Sequence, residues 1–317
     1  MKLVLAGLFC LVGLGSAYGA ASALPLIDAH SQFDDDVPVA RVLDVLARAD
    51  VAKVILSARG QVTPATLSEL GTANPECILP SVRSKSRSFD QNRSGYYRQL
   101  NEQLGNPAFK AMSEIILVHA PKGDRAREVN LEVKLPQVQE AIRQAIAKGW
   151  PVILHYEFRW LARHYGAEAR DQRMAELKAL LDQHPGHPFG LIHMGQLDAG
   201  VAAELLSAHA NLVFLTSHAN PIVARKSAQP WTDMFVGEDL APEWTELMQR
   251  YPDRFVLAID NVWPEHWSDL YVQQVALWRQ ALARLPEDVA HAVAHGNAER
   301  LWKLPPATAG QGCAARR

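Results

Sequence analysis

The sequence predicts an α/β protein, a (β/α)8 TIM barrel that forms a single domain. Short apolar runs alternate with amphipathic stretches, ionisable residues follow the ends of these runs, and removal of a 23-residue leader leaves 294 of the 317 residues. A barrel of this kind has ~250 residues and builds its active site at the carboxyl ends of its strands. A doubly wound open sheet is the competing fold, and the polar strand ends favour the barrel.

Eight apolar runs predict buried strands, because each is short and is bounded by polar or turn-forming residues. They are Leu26–Asp28, Ala52–Ser57, Ile78–Val82, Met112–Val118, Val152–Leu154, Phe189–Ile192, Leu212–Thr216 and Phe255–Ile259. Between them, apolar residues recur at three- and four-residue steps, which predicts amphipathic helices that cover a parallel sheet. Examples are Val39–Arg48, Gln137–Lys148, Asp171–Gln183, Ala241–Tyr251 and Val272–Arg284.

Composition indicates a globular protein with a large core, since 48% of the residues are hydrophobic and 21% are charged. The formal net charge of −2 excludes the strongly basic surface of a nucleic-acid-binding protein. No stretch after the leader has the roughly 18 uninterrupted apolar residues of a membrane helix. We therefore expect no nucleic-acid partner and no membrane attachment once the leader is removed.

Residues 1–23 have the pattern of a secretory signal peptide. Lys2 precedes an apolar run, and small residues follow up to Ala23, the favoured cleavage site, with Ala20 as the second. An exported protein, periplasmic or secreted, is expected. Residues 24–304 form the predicted domain, and 305–317 a loose tail. Cys77 and Cys313 could form a disulfide, but the tail shows no packing pattern, so two free thiols are predicted.

Ionisable side chains at the ends of different strands form a candidate metal site. His30, His155, His193 and Asp260 each follow a predicted strand, as do Glu114 and His218. In a barrel these strand ends converge on one face. Imidazole and carboxylate are ligands that zinc accepts. The common placement of these residues predicts a site that no single histidine would indicate.

Five segments in the right order resemble the amidohydrolase-related family, metal-dependent TIM-barrel hydrolases and decarboxylases. Leu26–His30 matches the start of its I-D-x-H-x-H motif, Gly149–His155 its G-x-P-V-x-x-H strand, and the stretch ending at Gly195 its H-M-G signature. Tyr251–Asp260 and His295–Leu301 are similar to its P-D-R strand and its closing G-N-A-x-R-L helix.

The resemblance implies roles for individual residues. His30 and His155 would hold one divalent metal ion, with zinc the first choice, and Asp260 would be a further ligand or a base. His193 would act as a general base or polarise the substrate. Glu114 resembles the glutamate of the family's fourth strand, which would make it a ligand or a hydrogen-bond partner of one. Gln32 departs from the motif, which has its second histidine there.

Basic residues in the loops after two strands predict an anionic small-molecule substrate. Arg83 lies in the basic run after the third strand and Arg159 follows the fifth, so either could clamp a carboxylate. Tyr156 follows His155 directly and is a further candidate for substrate binding. A solvated basic loop is the simpler interpretation of the run after the third strand.

The sequence therefore predicts an exported metal-dependent hydrolase acting on C–N or ester bonds, or a decarboxylase. Its substrate would be a small organic acid, its amide or its cyclic ester. Because a carboxamide binds transition metals less well than imidazole, Gln32 leaves two alternatives open: a metal-independent lactonase, and a catalytically silent ligand-binding barrel. The oligomeric state stays open, with a homo-oligomer among the alternatives.

Overall fold

The computed structural model describes residues 24–313, so the predicted signal peptide lies outside the described residues. Thirteen strands occur in this part of the chain: β1 Leu26–Phe33, β2 Val51–Ala58, β3 Ile78–Val82, β4 Ala111–Met112, β5 Ile115–Ile116, β6 Val118–His119, β7 Val129–Asn130, β8 Val152–His155, β9 Phe189–Leu191, β10 Leu212–Leu215, β11 Phe235–Val236, β12 Asp239–Leu240 and β13 Phe255–Val256.

Twelve α-helices connect or follow these strands within the same residues: α1 Val39–Arg48, α2 Pro64–Ala73, α3 Arg87–Asp90, α4 Ser94–Gly105, α5 Pro136–Lys148, α6 Phe158–Gln183, α7 Ala199–Ala208, α8 Pro221–Ala224, α9 Pro242–Arg250, α10 Asp269–Leu282, α11 Glu287–His291 and α12 Asn297–Trp302. Several begin with proline, whose missing N–H costs nothing in the first turn. None of these helices is both long enough and apolar enough to cross a bilayer.

The strands form the predicted (β/α)8 barrel. One parallel sheet has the order β1-β2-β3-β4 and the other β13-β10-β9-β8-β5. Backbone hydrogen bonds close the barrel between its last and first strands: Ala29 N–H donates to Leu257 O (3.0 Å) and Asp260 N–H to His30 O (2.7 Å). The end of the chain's eighth barrel strand is thereby fixed beside the end of its first.

The fourth barrel strand is the one predicted strand that the structure divides. Met112–Val118 was expected to be continuous, yet β4, β5 and β6 are two-residue pieces with a break at Ser113–Glu114. Ser84, in the loop after β3, donates a hydrogen bond from its hydroxyl to the carbonyl of Glu114. This contact replaces ladder pairing at the break, and it leaves the Glu114 side chain facing the barrel.

Two apolar layers hold the fold together. The inner layer fills the barrel with alternate strand residues such as Ile27, Ile55 and Ile153, and Trp302 of α12 packs against it. The outer layer lies between strands and helices, where Val42 and Leu46 of α1 are fully buried. The active site of such a barrel is built at the carboxyl ends of the strands, so this packed core supports the site from below.

The cysteines differ from the prediction. Cys77 and Cys313 form a disulfide, so the expectation of two free thiols is wrong. Cys313 N–H donates to Ala52 O (3.1 Å), and a Cβ on Gly312 would lie 1.8 Å from that carbonyl, which explains the glycine with φ 67°. The tail follows the amino ends of β2 and β3, a tertiary position that no local sequence pattern reveals.

Removal of this disulfide should lower stability. It links residues 236 apart, and a cross-link over a long loop stabilises by about 2–4 kcal/mol through the unfolded state. We expect Cys313→Ser to lower the free energy of unfolding by that amount in urea titrations. The Cys77→Ser/Cys313→Ser double variant, unlike the wild type, should not respond to dithiothreitol. Two titratable thiols in denatured, unreduced protein would contradict the assignment.

Candidate active site

A cavity of about 220 Å³ lies at the carboxyl ends of the barrel strands. Gln32, Glu114, His155, His193, His218 and Asp260 line it, together with loop residues from above. The predicted face of the barrel is therefore the one that carries the ionisable residues, as the fold requires.

Gln32 occupies the centre of this cluster. Its amide nitrogen donates to Asp260 Oδ1 (2.8 Å) and to Glu114 Oε1 (3.2 Å), and it lies 3.3 Å from His30 Nε2. Its oxygen, in contrast, is buried without a hydrogen-bond partner among the described residues. The amide has this orientation because an oxygen facing two carboxylates would be repelled by both.

Glu114 is ionised inside the protein because it has several N–H partners. It binds His155 Nδ1 through Oε2 (2.7 Å) and the Lys85 ammonium through Oε1. Burial by itself would raise the pKa of Glu114, but Lys85 and His155 outweigh it and hold this pKa well below its usual value. The break in the fourth barrel strand thus delivers a permanently charged carboxylate to the cavity.

His155 is held between two carboxylates. Its Nδ1 contacts Glu114, and its Nε2 lies 3.0 Å from Glu157 Oε1. Burial would lower the pKa of His155, yet the two glutamates raise it above its usual value. Glu157 also binds the Lys122 ammonium at 3.0 Å, while Lys122 reaches His119 Nε2 at 2.8 Å. Both ring nitrogens of His155 therefore act as hydrogen-bond donors.

Three imidazoles surround the Asp260 carboxylate without hydrogen-bonding to it. His30 Nε2 lies 3.5 Å from Oδ1, and the Nε2 atoms of His193 and His218 each lie 3.6 Å from Oδ2. No side chain within residues 24–313 donates to Oδ2. This oxygen is therefore a free acceptor at the wall of the cavity.

His193 and His218 are neutral. Burial lowers the pKa of both rings, well below the usual value for His193, where the neighbouring His218 adds to the effect. His218 Nε2 lies 3.1 Å from the backbone oxygen of Asp260 and must donate to it. His193 Nδ1 lies 3.2 Å from Ser217 O, which assigns the proton to Nδ1 and leaves Nε2 a base.

Three of these side chains sit on left-handed backbone. The φ angles are 56° for His193, 59° for His218 and 57° for Asp260. Non-glycine residues rarely adopt this conformation, and where they do the surrounding fold must hold them there. These left-handed positions, which follow β9, β10 and β13 in the chain, aim the three side chains into the cavity.

The upper wall of the cavity is strongly cationic. Seven basic side chains line it, against the three acids Asp90, Glu114 and Asp260; the basic set is Arg59, Arg83, Lys85, Arg87, Lys122, Arg125 and Arg127. Arg83 is fixed by hydrogen bonds from Nε to Lys85 O (3.0 Å) and from Nη1 to Gly60 O (2.9 Å). Its Nη2 has no such bond to the described residues, so the wall can receive an anion.

Two residues predicted for substrate binding do not line this cavity. Tyr156 is fully buried and stacks on Phe158 with ring centroids 4.8 Å apart. Arg159 points its guanidinium at the carbonyl of Trp231 (3.3 Å). Successive residues after a strand diverge, so the position next to His155 did not ensure a place in its site.

Other residues reach the site without a role having been predicted for them. The sequence places His218 after a strand, as it does the other candidate histidines, but assigns it no function. Lys85 lay inside the recognised basic run, but nothing local distinguished it from its neighbours. Lys122 and Trp263 are brought in by loops, and no pattern in the sequence marks them.

Within residues 24–313, three groups of side chains have donor atoms close enough together to hold a metal ion: Glu114 with His155 and His193; His119 with His155 and Glu157; and His193 with His218 and Asp260. The hydrogen bonds already present oppose a fit at the first-strand motif. Gln32 N–H and the Lys85 ammonium take the carboxylate oxygens, and both nitrogens of His155 carry protons toward glutamates. The ligand atoms at the first-strand motif are therefore occupied by hydrogen bonds, whereas Asp260 Oδ2 and His193 Nε2 have no hydrogen-bond partner among the described residues.

The charge on His155 should appear in the pH dependence of stability. Its folded pKa lies above the unfolded value of ~6.5, so its contribution is complete below pH 6.5 and is lost as the pH rises through the folded pKa. In urea titrations with EDTA, the difference in unfolding free energy between wild type and His155→Gln should shrink from pH 6 to pH 9.

His187, outside the cavity, is the matched control. Burial lowers its pKa, so the difference between wild type and His187→Gln should instead grow from pH 6 to pH 9. Equal slopes for the two variants would mean that His155 is not held as an imidazolium.

Comparison with known proteins agrees with this architecture. The family model described as amidohydrolase matches residues 87–304, more than half of the chain. No functionally curated protein matches significantly. Among solved structures, an uncharacterised TIM-barrel protein from Bordetella bronchiseptica is 13% identical, with a TM-score of 0.55, covering 84% of this chain and 83% of that one.

Two structures with named activities are also similar. A probable 2-pyrone-4,6-dicarboxylic acid hydrolase from Acinetobacter baumannii, with citric acid bound, is 14% identical at a TM-score of 0.52 and covers 88% of this chain and 100% of that one. Dihydroorotase from Campylobacter jejuni is 12% identical at 0.55, covering 89% and 84%. At these identities the likeness shows the TIM-barrel fold. The family match shows more: this chain belongs to the amidohydrolase family and is a hydrolytic enzyme.

Proposed function

We propose that this enzyme is an exported hydrolase that opens an ester or lactone of a small carboxylate-bearing acid, and that it does so without a metal ion. One observation carries the proposal: the Gln32 amide donates to both Asp260 and Glu114 at the centre of the site. In the family motif that position belongs to a histidine. Here the two carboxylates are instead satisfied by N–H groups.

Asp260 is the base of the proposed reaction. Gln32 holds Oδ1, so Oδ2 is left to accept a hydrogen bond from water, which the neutral Nε2 of His193 can help to orient. As the water oxygen attacks the ester carbon, Asp260 takes its proton and the carbonyl electron pair moves onto oxygen. When the carbon–oxygen bond breaks, the leaving oxygen takes that proton back, giving one acid and one alcohol.

The reaction class follows from the strength of this activation. A carboxylate acting as general base contributes about 10²–10⁴-fold, which suits an activated ester or lactone better than an amide. The leaving oxygen of such an ester needs less help than an amide nitrogen. The alternative of C–N hydrolysis therefore has less support from this site.

The cationic wall supports an anionic substrate. Seven basic residues face three acids around the cavity, and Arg83 is held in place by two backbone carbonyls. A fixed guanidinium binds a carboxylate through parallel hydrogen bonds. The similar structure named for a pyrone dicarboxylate, a lactone with two carboxylates, and found with citric acid suggests the first compounds to assay.

Export is supported by two features. The leader pattern of residues 1–23 is that of a secretory signal, and the Cys77–Cys313 disulfide suits an oxidising compartment. A periplasmic or secreted enzyme would fit both.

A metal-dependent hydrolase or decarboxylase is the second candidate. His193, His218 and Asp260 have donor atoms within reach of one cation, and zinc accepts imidazole and carboxylate. Such an enzyme would contain near-stoichiometric zinc or manganese by inductively coupled plasma mass spectrometry and would lose activity with chelator. A silent ligand-binding barrel would turn over no ester in either state.

Asp260 and metal content test the proposal together. We expect 2-pyrone-4,6-dicarboxylate or related lactones to be hydrolysed by EDTA-treated, metal-free protein at the untreated rate. Asp260→Asn should lower kcat by about 10²–10⁴-fold, since the base is lost. Asp36→Asn, in an exposed turn, is the control and should match wild type. Activity that disappears with EDTA and returns with zinc would refute the metal-free mechanism.

Arg83 tests the anionic substrate. We expect Arg83→Met to raise KM about 10- to 100-fold, because a hydrogen bond to a charged group is worth about 1.5–3 kcal/mol. The kcat should change little. Arg159→Met is the matched control, since Arg159 lies outside the cavity, and its KM should stay at the wild-type value. Equal KM increases for carboxylate and uncharged esters would show that Arg83 does not bind the anion.

A further inference from the structure

Lys85 is the one cation of the cavity wall that is bound directly to a buried carboxylate of the central cluster. Its side chain is 17% exposed and lines the cavity, and its ammonium pairs with Glu114 Oε1. The same oxygen accepts the Gln32 amide at 3.2 Å and lies 3.8 Å from His30 Nε2. Lys85 therefore brings a full positive charge to the place where these groups converge.

The two residues that precede Lys85 are held by hydrogen bonds to neighbouring elements. Arg83 N–H donates to Gln103 Oε1 (2.8 Å), and the Ser84 hydroxyl donates to the carbonyls at the break of the fourth barrel strand, including Ser113 O (3.3 Å). The residue that breaks this strand, Glu114, is the one that binds Lys85. The ammonium is thus positioned by the barrel rather than by a mobile loop.

The ammonium also keeps donors to spare. An ammonium has three N–H groups, and Glu114 is the hydrogen-bond partner of Lys85 within the described part of the chain. Lys122, by comparison, contacts both Glu157 and His119 and lies 5.1 Å from the Trp231 ring centre. Lys85 therefore keeps two N–H groups for a substrate oxygen, whereas Lys122 keeps one.

We propose that the Lys85 ammonium takes the place of a metal ion in this enzyme: it supplies the positive charge beside Glu114 and Asp260 and binds the carbonyl oxygen of the substrate. This inference rests on the proposed function for its catalytic part. Water attacks the carbonyl carbon as Asp260 removes a proton. The carbonyl electron pair moves onto the oxygen, which carries its negative charge against Lys85 until the carbon–oxygen bond to the leaving group breaks.

Kinetics of Lys85 variants are the first test. With 2-pyrone-4,6-dicarboxylate as substrate, Lys85→Met should lower kcat about 10²- to 10³-fold, the loss typical of removing one oxyanion donor. KM should change far less, and methylammonium should restore part of kcat. Lys178→Met, at an exposed position of α6 outside the cavity, is the matched control and should keep kcat within threefold of wild type. A Lys85→Met variant that is folded by circular dichroism and keeps wild-type kcat overturns the inference.

Lys85→Arg guards against loss of fold. It keeps the positive charge, so it should retain the wild-type melting temperature and more activity than Lys85→Met. If Lys85→Met fails to fold, Lys85→Arg can be compared with Glu114→Gln, which removes the carboxylate that holds the ammonium. Because Lys85→Arg keeps the positive charge, it should lose less kcat than Glu114→Gln. Equal losses of kcat in the two variants would count against a role of the charge.

Calorimetric titration with zinc separates this inference from the proposed function. Wild type should bind no zinc at the central cluster, whereas Lys85→Met/Gln32→His should bind about one equivalent, because two carboxylates and His30 lose their N–H partners. Gln32→His with Lys85 intact should bind zinc at least tenfold more weakly. If wild type hydrolyses no ester, the proposed function fails. Equal zinc affinity of Gln32→His and Lys85→Met/Gln32→His would overturn the inference that the Lys85 ammonium replaces a metal ion.

Discussion

Two buried carboxylates, Glu114 and Asp260, impose the constraint on which the rest of the site depends. A carboxylate out of water is costly unless its oxygens receive hydrogen bonds or a cation. The protein meets this requirement with the Gln32 amide between them and with Lys85 on Glu114. The raised pKa of His155 follows from this charge, since its ring lies between Glu114 and Glu157.

The backbone of the barrel makes this arrangement possible. Closure between the last and first strands places Asp260 beside His30, through the hydrogen bond from Asp260 N–H to His30 O. The break at Ser113–Glu114, where β4 of one sheet is followed by β5 of the other, turns a glutamate inward. Asp28 reinforces the closed seam: its carboxylate accepts from Ile259 N–H (3.0 Å) and from the Tyr271 hydroxyl (2.9 Å).

The electrostatic layout separates two tasks. Around Asp260, the neutral imidazoles of His193 and His218 and a free carboxylate oxygen suit proton transfer from water. Around Glu114, the ammonium of Lys85 and the imidazolium of His155 form a positive region that suits negative charge developing on a substrate. Above both, the cationic wall suits a substrate that is itself an anion. One small cavity thus holds proton acceptors around Asp260 and positive charges around Glu114, close to each other.

The sequence by itself determined the fold and the central residues. Strands alternating with helices predicted the barrel. The carboxyl ends of barrel strands converge on one face, so residues that follow different strands were expected at one site. These residues are His30, Glu114, His155, His193 and Asp260. Gln32 was identified as a departure because it occupies the position of the second histidine in the family's first-strand motif I-D-x-H-x-H.

Only the tertiary structure decided which N–H groups meet these carboxylates. Lys85 and Lys122 come from loops whose paths depend on long-range contacts. The disulfide likewise joins Cys77 to Cys313, which is 236 residues later in the sequence. Tyr156 and Arg159 show the converse, since closeness in sequence to His155 did not bring them into the cavity. Local periodicity specifies strands and their ends, whereas the charge balance of a buried site is set by groups distant in sequence that folding brings within hydrogen-bond distance.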